Sequence, residues 1–166
     1  MINYNTYLTA EQINEDLHII ERGYGMASVP SSVNAIADSL NPFVLTSGNN
    51  TWGTAIPVVG SADTPIMLGT RGYHPRGIQT IDFNKTTVYK IRYAWGASYA
   101  AGVAAGNYID FYKGAAALNQ DFTETNINMP VLPSGTILWA ACWNATNLAT
   151  FSFMIRIHEH DFVIAV

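Results

Sequence analysis

The sequence is poor in charge. Lys, Arg, Asp and Glu together make up 12% of its 166 residues, about half of the roughly 25% usual in globular domains. Eight residues are Lys or Arg and the formal net charge is -4, which argues against the basic footprint of a nucleic-acid-binding protein. Cysteine is nearly absent. Cys142 stands alone, so an intramolecular disulfide framework is excluded, and the composition fits assembly in a reducing cytoplasm. No apolar run reaches the roughly 18 residues of a membrane-spanning helix. Residues 1–12 lack the basic start and apolar stretch of a signal peptide. The motifs GxSxG, HExxH, GxGxxG and the P-loop are all missing. What is present is 49% hydrophobic residues, enough to exclude wholesale disorder, in a chain long enough to bury one core. With so few charges, Ser, Thr, Asn, Gly and Tyr must cover the surface, or much of it must be hidden against partners.

The chain divides near Asn41-Pro42. Before that point the spacing predicts short helices on an N-terminal arm, residues 1–41. Thr9-Ala10-Glu11-Gln12 has the form of a capping box. Ile13, Leu17 and Ile20 recur at i, i+4, i+7 and make one apolar stripe. Gly23 and Gly25 then stop the helix. A second short helix would place Val33, Ile36, Ala37 and Leu40 on one face. Such a narrow stripe must dock on the body of the protein or on a neighbour. Full burial would contribute roughly 1.5–3 kcal/mol for each large side chain, less the cost of ordering the arm.

After Pro42 the pattern is that of strands, and residues 42–166 are expected to form one domain. The candidate runs are Phe43–Thr46, Ala55–Val59, Gly77–Phe83, Val88–Ala94, Asn107–Tyr112, Ile127–Leu132, Thr136–Trp143 and Ala149–His160. Gly, Asn, Ser and Pro clusters punctuate them. Phe151, Phe153, Ile155 and Ile157 alternate with Ser152, Met154, Arg156 and His158, the pattern of a strand with one buried face. Cys142 groups with Leu138 and Ala140 on a face that Trp143 does not share. For Tyr99–Gly106 the helical signal is weak, because glycines bound it, and a wide loop or hairpin turn fits equally well. The expected fold is mainly β: an antiparallel β-sandwich or jelly roll with a partly helical N-terminal arm.

Few residues suggest chemistry. His158-Glu159-His160 is the densest group of potential ligands. On a strand both imidazoles share a face and could reach one metal, but a third or fourth ligand, such as His18, His74 or an Asp, must come from elsewhere. A polar strand end at the surface or a subunit contact is the plainer reading, so no metal and no cofactor is expected. Tyr73-His74-Pro75-Arg76-Gly77 reads as a turn. Cys142 reads as a buried small hydrophobe. Trp52, Trp95, Trp139, Trp143 and the nine tyrosines would suit stacking on sugar rings, although aromatics on strands more often serve core or interface. Asp63, Asp82, Asp110, Asp121 and Glu124 offer carboxylates, yet no spacing selects a catalytic pair. Three sequons, at Asn49, Asn84 and Asn144, are read as loop composition only.

Several segments resemble a loosely related set of tailed-bacteriophage virion proteins. They are His18-Ile19-Ile20-Glu21-Arg22-Gly23-Tyr24, Ser28-Val29-Pro30-Ser31-Ser32-Val33-Asn34 and Tyr89-Lys90-Ile91-Arg92-Tyr93. To these add the run from Pro130 to Ala141 and a closing strand ending in His158-Glu159-His160. The resemblance implies a β-sandwich after an extended N-terminal arm, in a non-enzymatic head-decoration (cement), head-fibre or neck component of the virion. It implies self-assembly, as a homotrimer, in the host cytoplasm, and contact with other virion proteins such as the major capsid protein. It implies no catalytic residues. On this reading Ile13, Leu17, Ile20, Val33 and Ile36 anchor the arm, and Tyr93, Trp95, Arg156, His158 and His160 line subunit contacts. No nucleic acid and no membrane is expected as a partner. The alternative is a carbohydrate- or receptor-binding module of a phage fibre or tail.

Overall fold

The computed structural model describes residues 18–24, 42–60, 66–67, 72–114 and 124–160; for 18–24, 66–67 and 160 the description is of the backbone. The strands are β1 (His18–Tyr24), β2 (Phe43–Thr46), β3 (Thr51–Trp52), β4 (Ile56–Gly60), β5 (Ile66–Met67) and β6 (Gly72–Phe83). After β7 (Tyr89–Trp95) comes a short helix α1 (Tyr99–Ala104), followed by β8 (Tyr108–Lys113), β9 (Glu124–Asn126), β10 (Leu138–Asn144) and β11 (Thr150–His160). They form two sheets packed face to face, as expected for a β-sandwich. In the five-stranded sheet the order is β1-β11-β6-β9, with β2 also pairing with β11. In the six-stranded sheet it is β5-β4-β10-β7-β8, with β3 also pairing with β10. All pairings are antiparallel except the two-residue β4–β5 contact.

The core follows the period of two. From β11, Phe151, Phe153, Ile155 and Ile157 point inward and are essentially fully buried. Tyr89, Ile91 and Tyr93 of β7, and Leu138, Ala140 and Cys142 of β10, face them from the other sheet and are equally buried. Aromatic contacts cross the interface: Tyr89 to Phe151 at 5.7 Å between ring centroids and Tyr93 to Phe153 at 6.2 Å. Tyr73 Oη donates to Thr136 O at 2.7 Å, so the one polar atom of that buried ring bridges from the first sheet to the segment that enters β10.

One end of the sandwich is closed by short polar side chains. Asn144, fully buried, accepts through Oδ1 from Thr87 Oγ1 and from Thr146 N, both at 2.8 Å, and donates through Nδ2 to Val88 O at 3.2 Å. Asn84 Oδ1 accepts from Thr150 N at 2.8 Å. Ser47 Oγ donates to Thr146 O at 2.9 Å and accepts from Ala149 N at 3.2 Å. These bonds tie the β6–β7 and β10–β11 connections and the end of β2 together, and satisfy backbone groups that would otherwise be orphaned.

Three expectations are corrected and one open reading is decided. Residues 18–22, assigned by periodicity to a helix, lie in strand β1, where residues 18–24 pair with β11; the ladder to β11 outweighs a stripe whose last member is Ile20. The helical reading of residues 9–17 and 31–40 lies outside the described residues. Tyr99–Ala104 is a helix, not a turn: Ser98 caps it, accepting from Ala101 N at 3.1 Å. Gly102 lies where a Cβ would meet the backbone of Trp95, at 2.8 Å from its carbonyl oxygen, so this glycine allows the helix to pack on β7. Residues 73–77 are not a turn but the first half of the long strand β6, and the β6–β11 register shifts beside Pro75, an irregularity that accommodates a residue without an N–H. Ile127–Leu132 is not a strand. Its Ile127, Met129 and Leu132 are buried, but Pro130 cannot donate to a ladder, and the segment bridges only once, between Leu132 and Tyr73.

Candidate interaction surface

The outer face of the six-stranded sheet carries two transverse rows in which a cation sits between aromatic rings. Alternation places Lys90 and Arg92 of β7 outward, because Tyr89, Ile91 and Tyr93 fill the core. Register then sets their neighbours: Lys90 lies opposite Trp143 on one side and Tyr112 on the other, and Arg92 lies opposite Ala141 and Asp110. In the first row the Lys90 ammonium is 4.4 Å from the Trp143 ring and 5.8 Å from that of Tyr112. In the second the Arg92 guanidinium is 4.5 Å from Trp52 and 4.1 Å from Tyr108. The small Ala141 lets the Trp52 ring reach across β10 to Arg92. Each contact of this kind is worth about 0.5–1 kcal/mol at the surface.

Arg92 is further fixed by a two-pronged bond to Asp110, Nε to Oδ1 and Nη2 to Oδ2, each 2.6 Å. That bond is the chief reason its pKa is held above the ordinary arginine value. Burial raises the pKa of the nearby Tyr99 hydroxyl, and the Arg92 charge partly offsets the rise. The result is a pre-ordered surface of rings and cations whose rim remains open: Tyr112 is 62% exposed and Tyr108 37%. Trp52 also belongs to an adjoining groove of about 380 Å³, lined by Val44, Thr46, Ile56 and Leu148. Val44 and Leu148 are exposed apolar side chains there, and Leu148 is held at φ 53°, a left-handed conformation uncommon for a bulky residue.

The residues singled out from the sequence are scattered. Tyr93 is not a contact residue: it is fully buried, packed at 5.5 Å on Phe111 as well as on Phe153, because its strand position faces inward. Trp95 is half-buried beside the core. Arg156 lies on the outer face of the other sheet, where its guanidinium meets the Glu124 carboxylate at 2.6 Å; its register partner Gly77 leaves room for that carboxylate. His158 lies opposite His74, with ring centroids 5.0 Å apart. His160 closes β11 opposite His18. Ile20 is in β1, and Ile13, Leu17, Val33 and Ile36 lie outside the described residues. Cys142 is fully buried and its thiol is pushed up to about 12 by burial, as suits an inert core residue rather than a nucleophile. The sequon at Asn144 is sealed in the interior.

Sequence reasoning did not find the two rows. The alternation of Lys90 and Arg92 with Tyr89, Ile91 and Tyr93 was visible, as was a strand over residues 107–112. That Trp52 and Trp143 meet those cations depends on pairing with β3 and β10, which no local pattern encodes. Comparison of the sequence with models of known families and with curated proteins finds no match.

Proposed function

We propose that this chain is a non-enzymatic structural subunit of a phage virion, a capsid decoration or cement protein that assembles as a homotrimer and attaches through its N-terminal arm. The observation that carries the reading is the outer face of the six-stranded sheet. Trp, Tyr and Arg are the residues that dominate protein contacts, and here they stand pre-ordered, so little side-chain entropy is lost on docking. The adjoining apolar groove with Val44 and Leu148 extends the same surface. A charge-poor sandwich with such a face suits burial against copies of itself. Arg156, His158 and His160 on the opposite sheet, and Trp95, are the further contact candidates, with the arm residues Ile13, Leu17, Val33 and Ile36 directed to the capsid, while Ile20 belongs to β1 of the sandwich.

The test is the mass of the full chain by native mass spectrometry and light scattering. A trimer is expected. Tyr112→Asp and Lys90→Glu, both at the exposed row, are expected to shift the mass toward monomer while the circular dichroism spectrum is retained. A wild-type chain that remains monomeric at high concentration and does not associate with capsids refutes the proposal.

A second reading, a carbohydrate- or receptor-binding module of a fibre or tail, is favoured by the open faces of the Trp52 and Trp143 rows, because indole and phenol rings at a sheet surface suit pyranose stacking. Binding on a glycan array that is lost in Trp52→Ala and Trp143→Ala supports it, and an array without a hit removes it.

A further inference from the structure

The two cation–ring rows on the outer face of the six-stranded sheet differ in charge. In the Arg92 row the guanidinium fork is occupied: Nε and Nη2 both donate to Asp110, so cation and carboxylate cancel. In the other row Lys90 has no acidic partner among the described residues. The groups its ammonium faces are rings, Trp143 at 4.4 Å and Tyr112 at 5.8 Å. The row therefore carries one uncompensated positive charge, in a chain whose net charge is -4. Attraction to a ring is weak at such a surface, which leaves the ammonium able to donate a charge-assisted hydrogen bond to a carboxylate. It sits nearer the indole, and Tyr112, 62% exposed, is the freer wall. A ligand for this row must bring an anion and an apolar ring face side by side.

The same geometry selects among anions. An extended acidic peptide gains most from main-chain bonds at a sheet edge, but β7 is paired on both sides, with β10 and with β8. A phosphate group favours an arginine fork, and that of Arg92 is taken by Asp110. A polyanion is repelled by an acidic chain with one free positive charge on this face. With a carbohydrate-binding role for the face as the premise on which it rests, we propose that the Lys90 row binds an acidic sugar, a pyranose that bears a carboxylate, as uronic and sialic acids do. The ring stacks on Tyr112 and the carboxylate accepts from Lys90 Nζ. Lys90 and Arg92 stand two residues apart on β7, roughly 6.6–6.8 Å, so the next sugar of an oligosaccharide meets the Arg92 row. There the charge is balanced and Tyr108 offers an open ring, which suits a neutral unit.

The experiment is calorimetric titration of the full chain with sialyllactose and with a short galacturonic acid oligomer, against lactose and maltotriose as neutral counterparts. The acidic sugars are expected to bind at least about tenfold more tightly than the neutral ones, and their binding to weaken as salt is raised. Lys90→Gln is expected to abolish that preference and Lys90→Arg to retain it, while Tyr112→Ala weakens binding of every sugar. Lys85→Gln, in the β6–β7 connection, is expected to change nothing. Thermal melts show that each variant is folded. Acidic and neutral sugars bound alike, or a preference that survives Lys90→Gln, overturns the proposal and leaves the carbohydrate-binding reading standing. A folded wild-type chain that binds none of the four sugars overturns both. If that chain is an oligomer which Lys90→Gln converts to monomer, the row belongs instead to contacts between copies.

Discussion

Replacing Asn144 by Ala tests whether the closed end of the sandwich is held by one amide. The side chain is fully buried and makes three bonds of good length, two as acceptor at 2.8 Å and one as donor at 3.2 Å. Each such bond contributes about 1 kcal/mol net, and a buried partner left unsatisfied costs about 1–3 kcal/mol. Thr87 is exposed, so its hydroxyl turns to water at little cost. Thr146 N loses its partner in a half-buried place, and the Val88 carbonyl loses its partner on a residue that is itself exposed. The expected loss is about 3 kcal/mol, or a fall of roughly 6–12 °C in melting temperature for a chain of this length. Urea unfolding followed by the fluorescence of the four tryptophans measures it. Asn144→Asp sharpens the test. The carboxylate keeps the acceptor role but turns a negative oxygen toward the Val88 carbonyl, whereas the protonated acid can donate there. The folded-state pKa of that carboxyl must therefore rise above its unfolded value. By linkage the Asp variant is closest to wild type at low pH and loses stability as pH rises through the folded pKa. An Ala variant that loses less than about 1 kcal/mol, or an Asp variant whose deficit does not change with pH, refutes the account.

Tyr93→Phe is expected to leave stability unchanged or raise it by about 1 kcal/mol, because the Tyr93 hydroxyl is buried without a hydrogen-bond partner among the described residues; a clear loss in urea unfolding contradicts this. Gly60→Ala is expected to destabilise by about 1–3 kcal/mol, since Gly60 has φ 138° and a Cβ there would stand 2.6 Å from Thr136 O; a thermal melt equal to wild type contradicts it. Burial holds the Cys142 thiol near 12 against an ordinary 9.0, and the Tyr89 phenol near 12 against 10.0. The native chain keeps these protons after the unfolded chain has released them. Stability is therefore intact below pH 9 and falls between about pH 9 and 12, by about 1.4 kcal/mol per pH unit for each retained proton. Cys142→Ala should reduce the slope at the lower end of that window, and alkylation of Cys142 at pH 8 should require unfolding.

The strands easiest to read were those whose faces differ most. The alternation from Phe151 to Ile157 and the pairing of Cys142 with Leu138 and Ala140 follow from local residue types, because one sheet face is dry and the other is not. Failures came where local preference met a tertiary constraint. The stripe ending in Ile20 has helical spacing, yet residues 18–24 complete a ladder on β11. Glycines weaken the helical signal of residues 99–106, although Gly102 is what lets α1 lie on Trp95. The functional surfaces were less legible still. His158 and His160 stand out by their spacing, but the ring contact of His158 with His74 arises only through the β6–β11 register. Trp52 meets Arg92 only because Ala141 stands between them on β10 and is small.

The order of pairing has a consequence for synthesis. β10 receives β3, β4 and β7, and β11 receives β1, β2 and β6, so each layer is keyed by a strand that leaves the ribosome after the partners it joins. Until residues 138–160 have emerged, the nascent chain holds greasy half-layers with bare edges. Such distant closures make folding slow and expose the growing chain to mispairing with its neighbours on the same message.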